Sequence, residues 1–165
     1  MKTILLFITL TLPICVSAAK EDDIAPNFEL PEFSSNEQYQ LTDYLGKIVY
    51  LDFWASWCAP CRVSFPEIIQ LKADLSNKPF EVIAINVDEN SEDARRFLRR
   101  YKVPYPILWD ENGKWASQYK LPGMPTAFVV DQQGVIQMRH SGFRPGDMKK
   151  IRSKIDRLLE MESAQ

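Results

Sequence analysis

The chain of 165 residues has no large excess of charge of either sign and no apolar run long enough to cross a membrane. It carries 20 Lys and Arg against 22 Asp and Glu, which gives no electrostatic case for binding nucleic acid or anionic lipid. The apolar core near the N-terminus, Ile4 to Ile14, is about half of the ~20 residues that a transmembrane helix needs. The short apolar core disfavours a membrane-spanning segment, and the charge balance predicts no nucleic-acid partner.

The first 19 residues have the order of a secretory signal, with a basic residue, an apolar core and then small residues ending at Ala18-Ala19. We expect cleavage after Ala18 or Ala19, because the apolar core is too short to favour the alternative, an uncleaved leader that anchors the protein in a membrane. The domain organisation is then a signal peptide at 1–19 and one domain at 20–165. The predicted location is the periplasm.

Cysteine and histidine are scarce, with three cysteines and one histidine in the whole chain. Cys15 falls in the leader, and bulky Ile14 stands before it where lipoprotein signals carry a small residue, so we expect Cys15 to be discarded. Any sulfur chemistry of the mature protein must then use Cys58 and Cys61. Tetrahedral zinc would need two further ligands, and the mature chain offers only His140 and no other cysteine. We therefore predict no metal site and no cofactor.

Cys58 and Cys61 stand at the junction of a predicted strand and a predicted helix. Residues 48–54 are mostly β-branched or aromatic with no strand breaker, which is typical of a buried strand. A helix is predicted from Cys58 to about Leu75, with Pro60 in its first turn, where a proline costs no hydrogen bond. A disulfide across two residues closes a tiny loop and restrains little chain entropy, so the pair is a poor structural bridge. The position favours redox chemistry instead.

The helical spacing predicts a different role for each sulfur. Residues three apart have Cβ atoms about 5 to 6 Å apart, so a disulfide can form and open with only local adjustment. Free N–H groups and the positive end of the helix dipole stabilise a thiolate on Cys58, which we assign as the attacking sulfur. Cys61, one turn deeper, resolves the mixed disulfide. Asp52 is the one acidic residue in the apolar strand; burial would raise its pKa and suit it to exchange a proton with Cys61, whereas a cap or surface position is the alternative.

The rest of the chain predicts a mixed sheet with helices on both sides. Residues 80–87 are a second strong strand candidate, and Ser91 is the predicted N-cap of the following helix. Residues 131–134 separate two apolar runs as the turn of a hairpin. The chain closes with a helix that carries one apolar face, formed by Met148, Ile151, Ile155, Leu158 and Leu159. Helices and strands that alternate before a late hairpin imply an α/β fold.

Three motifs in this order resemble the thioredoxin superfamily: the stretch Asp52–Arg62, then Pro66, and far downstream Met124-Pro125-Thr126. With the leader and the long stretch between Asp88 and Pro125, the chain is most similar to the TlpA/ResA branch of exported thioredoxin-like proteins. That stretch is longer than a minimal thioredoxin needs. The resemblance implies a thioredoxin-like fold, with a central mixed β-sheet flanked by helices and a segment inserted before a cis-proline.

The resemblance also implies roles around the dithiol. Met124-Pro125 would be a cis peptide that faces the cysteines across a groove, and the backbone of Met124 would pair with the substrate chain. Trp57 would form part of an apolar rim for the partner, and Pro60 completes the predicted substrate-binding set with Met124. Minimal thioredoxins place a lysine near the buried aspartate where this chain has Ala84, which would leave Asp52 without a cationic neighbour.

We therefore predict an exported thiol–disulfide oxidoreductase that reduces disulfides of exported proteins. The family often serves cytochrome c maturation and draws electrons from a membrane-bound thiol reductase, which is the implied partner besides disulfide-containing proteins. One alternative is an oxidase that donates disulfides; reductants and oxidants differ from roughly −270 to roughly −120 mV, a span set by few local contacts. Another is a Cu(I)-binding or delivery module formed by the two thiolates. The lack of a histidine between the cysteines favours the reductant, and a peroxidase is disfavoured because the chain lacks the threonine-and-cysteine arrangement of peroxiredoxins.

Overall fold

The computed structural model describes residues 18–163, so most of the predicted leader and Cys15 lie outside the described residues. Seven strands occur in this range: β1 (Glu29–Pro31), β2 (Gln38–Gln40), β3 (Ile48–Trp54), β4 (Phe80–Asn86), β5 (Ile107–Trp109), β6 (Thr126–Val130) and β7 (Ile136–Ser141). The helices are α1 (Ala59–Asp74), α2 (Ser91–Leu98), α3 (Lys114–Gln118) and α4 (Asp147–Ser163), with a short 3₁₀ helix at Leu41–Tyr44. None of the helices in 18–163 has the length and apolar character that a bilayer crossing requires.

Five strands form one mixed sheet in the order β5-β4-β3-β6-β7, so β3 lies in the middle. β3 runs parallel to β4 and antiparallel to β6, and β6 and β7 form the predicted hairpin. Every residue of β3 is buried, as is typical of a strand covered on both faces. β1 and β2 pair separately as a small antiparallel sheet. The predicted mixed sheet is confirmed.

Helices cover both faces of the sheet, because side chains alternate along β3 and each face needs its own cover. Tyr50 and Trp54 point to the first face, while Leu51 and Phe53 point to the second. The core of the first face includes residues from α1, α2 and α4, namely Cys61, Phe65, Ile68, Ala94, Phe97, Ile151 and Ile155. The core of the second face includes residues from the N-terminal segment and the α3 region, namely Ala19, Phe28, Leu30, Trp115 and Tyr119.

The start of α2 differs by one residue from the prediction. Asn90, and not Ser91, is the N-cap, and its side-chain oxygen accepts a hydrogen bond from the backbone N–H of Glu92 at 3.0 Å. Asparagine and serine are equally good N-caps, so two adjacent candidates leave the first turn ambiguous in the sequence. The helix predicted from Cys58 is confirmed, with Cys58 as the N-cap of α1.

An aromatic cluster holds α1 against the first face of the sheet. Phe65 is fully buried at its centre, with ring centroids 5.0 Å from Trp54, 5.1 Å from Phe97 and 5.2 Å from Tyr101. Because α1 carries both cysteines, this packing sets where the dithiol lies relative to β3.

We expect Phe65→Ala to lower the free energy of unfolding by about 3–5 kcal/mol, because the truncation removes a buried ring and leaves a cavity. Urea unfolding of the oxidised protein measures this change. Val63 lies exposed on the same helix, so Val63→Ala is the matched control and should change stability by less than about 0.5 kcal/mol. Equal effects of the two substitutions would contradict the assigned packing.

Candidate active site

A tight turn connects the buried end of β3 to the first cysteine. The backbone N–H of Cys58 donates to the carbonyl oxygen of Ala55 at 3.1 Å and closes this turn. Trp57, inside the turn, is 65% exposed, whereas Cys58 immediately after it is 3% exposed. The chain therefore places an exposed ring directly beside a nearly buried sulfur.

Cys58 and Cys61 form a disulfide at the N-terminus of α1, with their Cα atoms 5.3 Å apart. The Cys58 Sγ accepts a hydrogen bond from the backbone N–H of Cys61 at 3.1 Å. That N–H belongs to the first turn, where backbone donors have no partner within the helix, so it remains available to a thiolate when the disulfide opens. Cys61 is fully buried, so Cys58 is the more accessible sulfur.

Asp52 is a buried carboxyl group with no polar partner. It is 1% exposed, and neither of its oxygens has a hydrogen-bond partner within residues 18–163. The register places Ala84 beside it on β4 and Ala127 beside it on β6, so both neighbours are small and apolar. Burial raises the pKa of Asp52 to about 7. Ala84 thus stands beside Asp52 at the position where minimal thioredoxins have a lysine. The Asp52 side chain faces the same side of the sheet as α1.

The peptide between Met124 and Pro125 is cis, as the resemblance implied. β6 is antiparallel to β3, and Thr126 pairs with Phe53. Pro125 therefore lies beside the end of β3, where the dithiol turn begins. Pro125 is buried, and its carbonyl oxygen accepts a hydrogen bond from the Gly142 N–H at 2.8 Å. The predicted residues from two distant parts of the sequence therefore meet at one edge of the sheet.

Exposed apolar side chains flank the buried disulfide in the sequence. Trp57 and Pro60 are both exposed and Met124 is half-buried, and their role as a substrate rim stays a prediction. Val63, one turn along α1 from Pro60, is also exposed and was missed by the sequence analysis. Helical spacing from Pro60 is the signal that would have found it.

His140 is held by a carboxylate within the fold. Its Nε2 lies 3.2 Å from an oxygen of Asp147, and its ring contacts Phe143 edge-on. Among residues 18–163, no group of three or more His, Cys, Asp or Glu side chains has an arrangement that could hold a metal ion.

A cluster of hydrogen-bonded side chains lies beside the dithiol turn, and the sequence analysis did not predict it. Ser56, Asn86, Asp88 and Trp109 are joined by hydrogen bonds, and we call them the Asp88 cluster. Asp88 is 3% exposed. An acidic residue just beyond a strongly apolar strand is the only sequence signal, and it is equally typical of a solvated loop.

The chain is similar to known proteins over most of its length. The AhpC/TSA family matches residues 22–139. The thiol-disulfide oxidoreductase ResA of Oceanobacillus iheyensis is 34% identical over 118 residues, which cover 70% of this chain and 62% of that protein. The chain thus spans less than two thirds of the length of this curated relative.

Solved structures extend the likeness to most of the fold. A chain from Chlorobium tepidum, described as the thiol:disulfide interchange protein DsbE, superposes with a TM-score of 0.82 and 39% identity, covering 86% of this chain and 99% of that chain. The exposed lipoprotein thioredoxin Etrx1 of Streptococcus pneumoniae gives a TM-score of 0.66 and 27% identity, covering 78% of this chain and 99% of that chain. The predicted thioredoxin-like fold is confirmed, whereas the inserted segment before Pro125 stays a prediction.

The raised pKa of Asp52 makes stability depend on pH. An aspartate in the unfolded chain has a pKa near 3.9, so between about pH 4 and 7 the folded protein holds more protons than the unfolded chain. The free energy of unfolding therefore falls as the pH rises through this window. We expect Asp52→Asn to stabilise the oxidised protein at pH 8 by up to about 4 kcal/mol, at 1.36 kcal/mol per pKa unit, and by less than about 1 kcal/mol at pH 3.5.

Urea unfolding at the two pH values measures this difference. Asp22→Asn, at an exposed position, is the control and should shift stability equally at both. If the increase in the free energy of unfolding caused by Asp52→Asn did not change with pH, the carboxyl group would not titrate in this range.

Proposed function

The chain belongs to the AhpC/TSA family of thioredoxin-like proteins, and from this premise we propose that it is a thiol–disulfide oxidoreductase that reduces disulfides of other exported proteins. The observation that carries the proposal is the Cys58–Cys61 disulfide at the N-terminus of α1, beside an exposed apolar rim. A bridge between residues three apart adds little stability, which favours turnover over a structural role.

The reduced protein starts the reaction from Cys58. Its thiolate, stabilised by the N–H of Cys61, attacks one sulfur of a partner disulfide and forms a mixed disulfide. The partner's other sulfur leaves as a thiolate and takes up a proton. Cys61 is fully buried whereas Cys58 is slightly exposed, so Cys58 is assigned the attack and Cys61 the resolving step.

Cys61 completes the reaction from the buried side. Its thiol loses a proton, and its sulfur attacks the Cys58 sulfur, which closes the Cys58–Cys61 disulfide and releases the second partner thiolate. Two electrons pass from the dithiol to the partner disulfide. Asp52 supports the step as the proton acceptor, because burial brings the pKa of its carboxyl to about 7 and lets it take up and release a proton near neutrality.

The substrate is proposed to be a protein segment and not a small thiol compound. Exposed Trp57, Pro60 and Val63 form an apolar surface around the sulfurs, which suits contact with a polypeptide. Met124 precedes Pro125 at the same edge of the sheet, and its backbone is proposed to pair with the substrate chain. Pro125 shapes that edge.

The proposed location is outside the cytoplasm, most specifically the periplasm, after removal of the leader at 1–19. The leader-like sequence supports it, as does the likeness to an exposed lipoprotein thioredoxin of S. pneumoniae. Oxidised protein must be reduced again before each turnover, so we propose a membrane-bound thiol reductase as the electron donor. Service to cytochrome c maturation is the proposed pathway class.

The two cysteines are expected to have separable roles. Cys58→Ser should abolish reduction of insulin, because no attacking sulfur remains. Cys61→Ser should attack but fail to resolve, so a mixed disulfide with the partner accumulates. Turnover of insulin in the presence of dithiothreitol, with non-reducing gels of the trapped species, measures both. Ser64→Ala, which removes a buried hydroxyl that donates to the Cys61 carbonyl oxygen, is the control. Normal insulin reduction by Cys58→Ser would contradict the assignment.

The reduction potential tests the direction of the reaction. We expect a value near or below about −230 mV for the Cys58–Cys61 couple, in the range of thioredoxin-like reductants. Equilibration of the wild-type protein in defined thiol–disulfide buffers measures it. A value near about −120 mV would instead make the protein an oxidase that donates disulfides.

A further inference from the structure

The Asp88 cluster fixes the turn that presents the attacking sulfur. Asp88 Oδ2 accepts hydrogen bonds from the Ser56 backbone N–H at 2.9 Å and from Asn86 Nδ2 at 2.8 Å. Its Oδ1 accepts from the Ser56 hydroxyl at 3.1 Å. All of these partners are donors, which is the arrangement that an ionised carboxylate requires.

The ends of β4 and β5 hold Asp88 itself in place. The Asn86 amide is oriented from both ends, since its Oδ1 accepts from the Asp88 N–H at 3.1 Å while its Nδ2 donates to the carboxylate. Trp109, the last residue of β5, donates from Nε1 to the Asp88 carbonyl oxygen at 2.8 Å. The side chain of Asp88 is therefore bonded to Asn86 at the end of β4, and its backbone is bonded to Trp109 at the end of β5.

This rigid carboxylate acts on a point two residues before the attacking sulfur. Two residues span at most about 7.6 Å between Cα atoms, so the Asp88 carboxylate is bonded to a residue that lies within this distance of Cys58. Ser56 is anchored to Asp88 on one side, and on the other side the Cys58 N–H closes the turn onto Ala55. The cluster thus holds Trp57 and Cys58 in one backbone conformation.

The charge also acts on the chemistry of the dithiol. A negative charge in a buried setting is weakly screened and disfavours a second negative charge nearby. A less stable Cys58 thiolate disfavours the reduced form, because strong oxidants of this type are those whose reduced form is most stabilised. The helix N-terminus and the buried carboxylate therefore act on Cys58 in opposite directions.

We propose that Asp88 is a positioning residue that fixes the Ala55–Cys58 turn and, through its charge, keeps the Cys58–Cys61 couple strongly reducing. This inference rests on the proposed function, because it concerns the same dithiol. Asp88 lies outside the cysteine motif. The inference gives this residue a part in setting the redox equilibrium of the dithiol.

The test is the equilibrium of the Cys58–Cys61 couple with glutathione in Asp88→Asn. The substitution removes the charge and places an amide donor against the donors of Ser56 or Asn86. We expect the equilibrium constant for reduction of the disulfide to rise about threefold or more at pH 7, from the Coulomb energy of a nearby buried charge. The pKa of the Cys58 thiol, followed by thiolate absorbance in the reduced protein, should fall in parallel.

Asp131→Asn is the matched control for a purely structural effect. Asp131 is also a buried carboxylate whose partners are donors: the N–H groups of Gln133 at 3.0 Å and Val135 at 2.8 Å, and the Gln137 amide at 2.8 Å. It lies in the hairpin turn at the end of the sheet opposite the dithiol. Its substitution should lower stability to urea while leaving the equilibrium constant within about 1.5-fold of wild type.

Ser56→Ala is the second variant, and it decides the matter if Asp88→Asn does not fold. It keeps the carboxylate but removes one of its donors, so the charge is less neutralised. The equilibrium constant for reduction of the disulfide should then fall by about 1.5-fold or more. The inference is overturned if folded Asp88→Asn has the same equilibrium constant for reduction as the wild type. If Asp88→Asn does not fold, an unchanged constant in Ser56→Ala overturns it. Wild-type protein that does not exchange with glutathione at all would instead overturn the proposed function.

Discussion

The burial of β3 on both faces is the constraint on which the rest of the structure depends. As the middle strand, β3 pairs with β4 on one side and β6 on the other. It ends at Trp54, just before the turn that leads to Cys58. Full burial also removes water from Asp52, whose carboxyl then has its pKa raised to about 7. One strand thus sets where the dithiol turn begins and raises the pKa of Asp52.

Electrostatic effects of opposite sign meet at the cysteine pair. The first turn of α1 offers the Cys61 N–H to the Cys58 sulfur at 3.1 Å, which favours a thiolate. Asp52 and Asp88 are both buried carboxyl groups near this end of the sheet, but they differ in their partners. Asp52 has none within the described residues and is suited to carry a proton, whereas Asp88 is saturated by donors and is suited to hold a charge.

Much of the site was predictable because its signals are local. The apolar run of 48–54, the cysteine spacing and Pro60 in the first helical turn each depend only on neighbours in the chain, and all three elements form as predicted. The Asp88 cluster was not predictable, because its residues come from the loop after β3, the end of β4 and the end of β5. Nothing in the sequence states that these ends adjoin.

The sequence by itself determined that there is one dithiol, that it caps a helix behind a buried strand, and that an acidic residue interrupts that strand. Periodicity and residue chemistry suffice for these statements because each is a property of a short segment. The tertiary structure alone decided that Ala84 and Ala127 flank Asp52, that Pro125 meets the end of β3, and which carboxylate is saturated. Strand register and packing bring these groups together across dozens of residues, and burial then raises the pKa of Asp52.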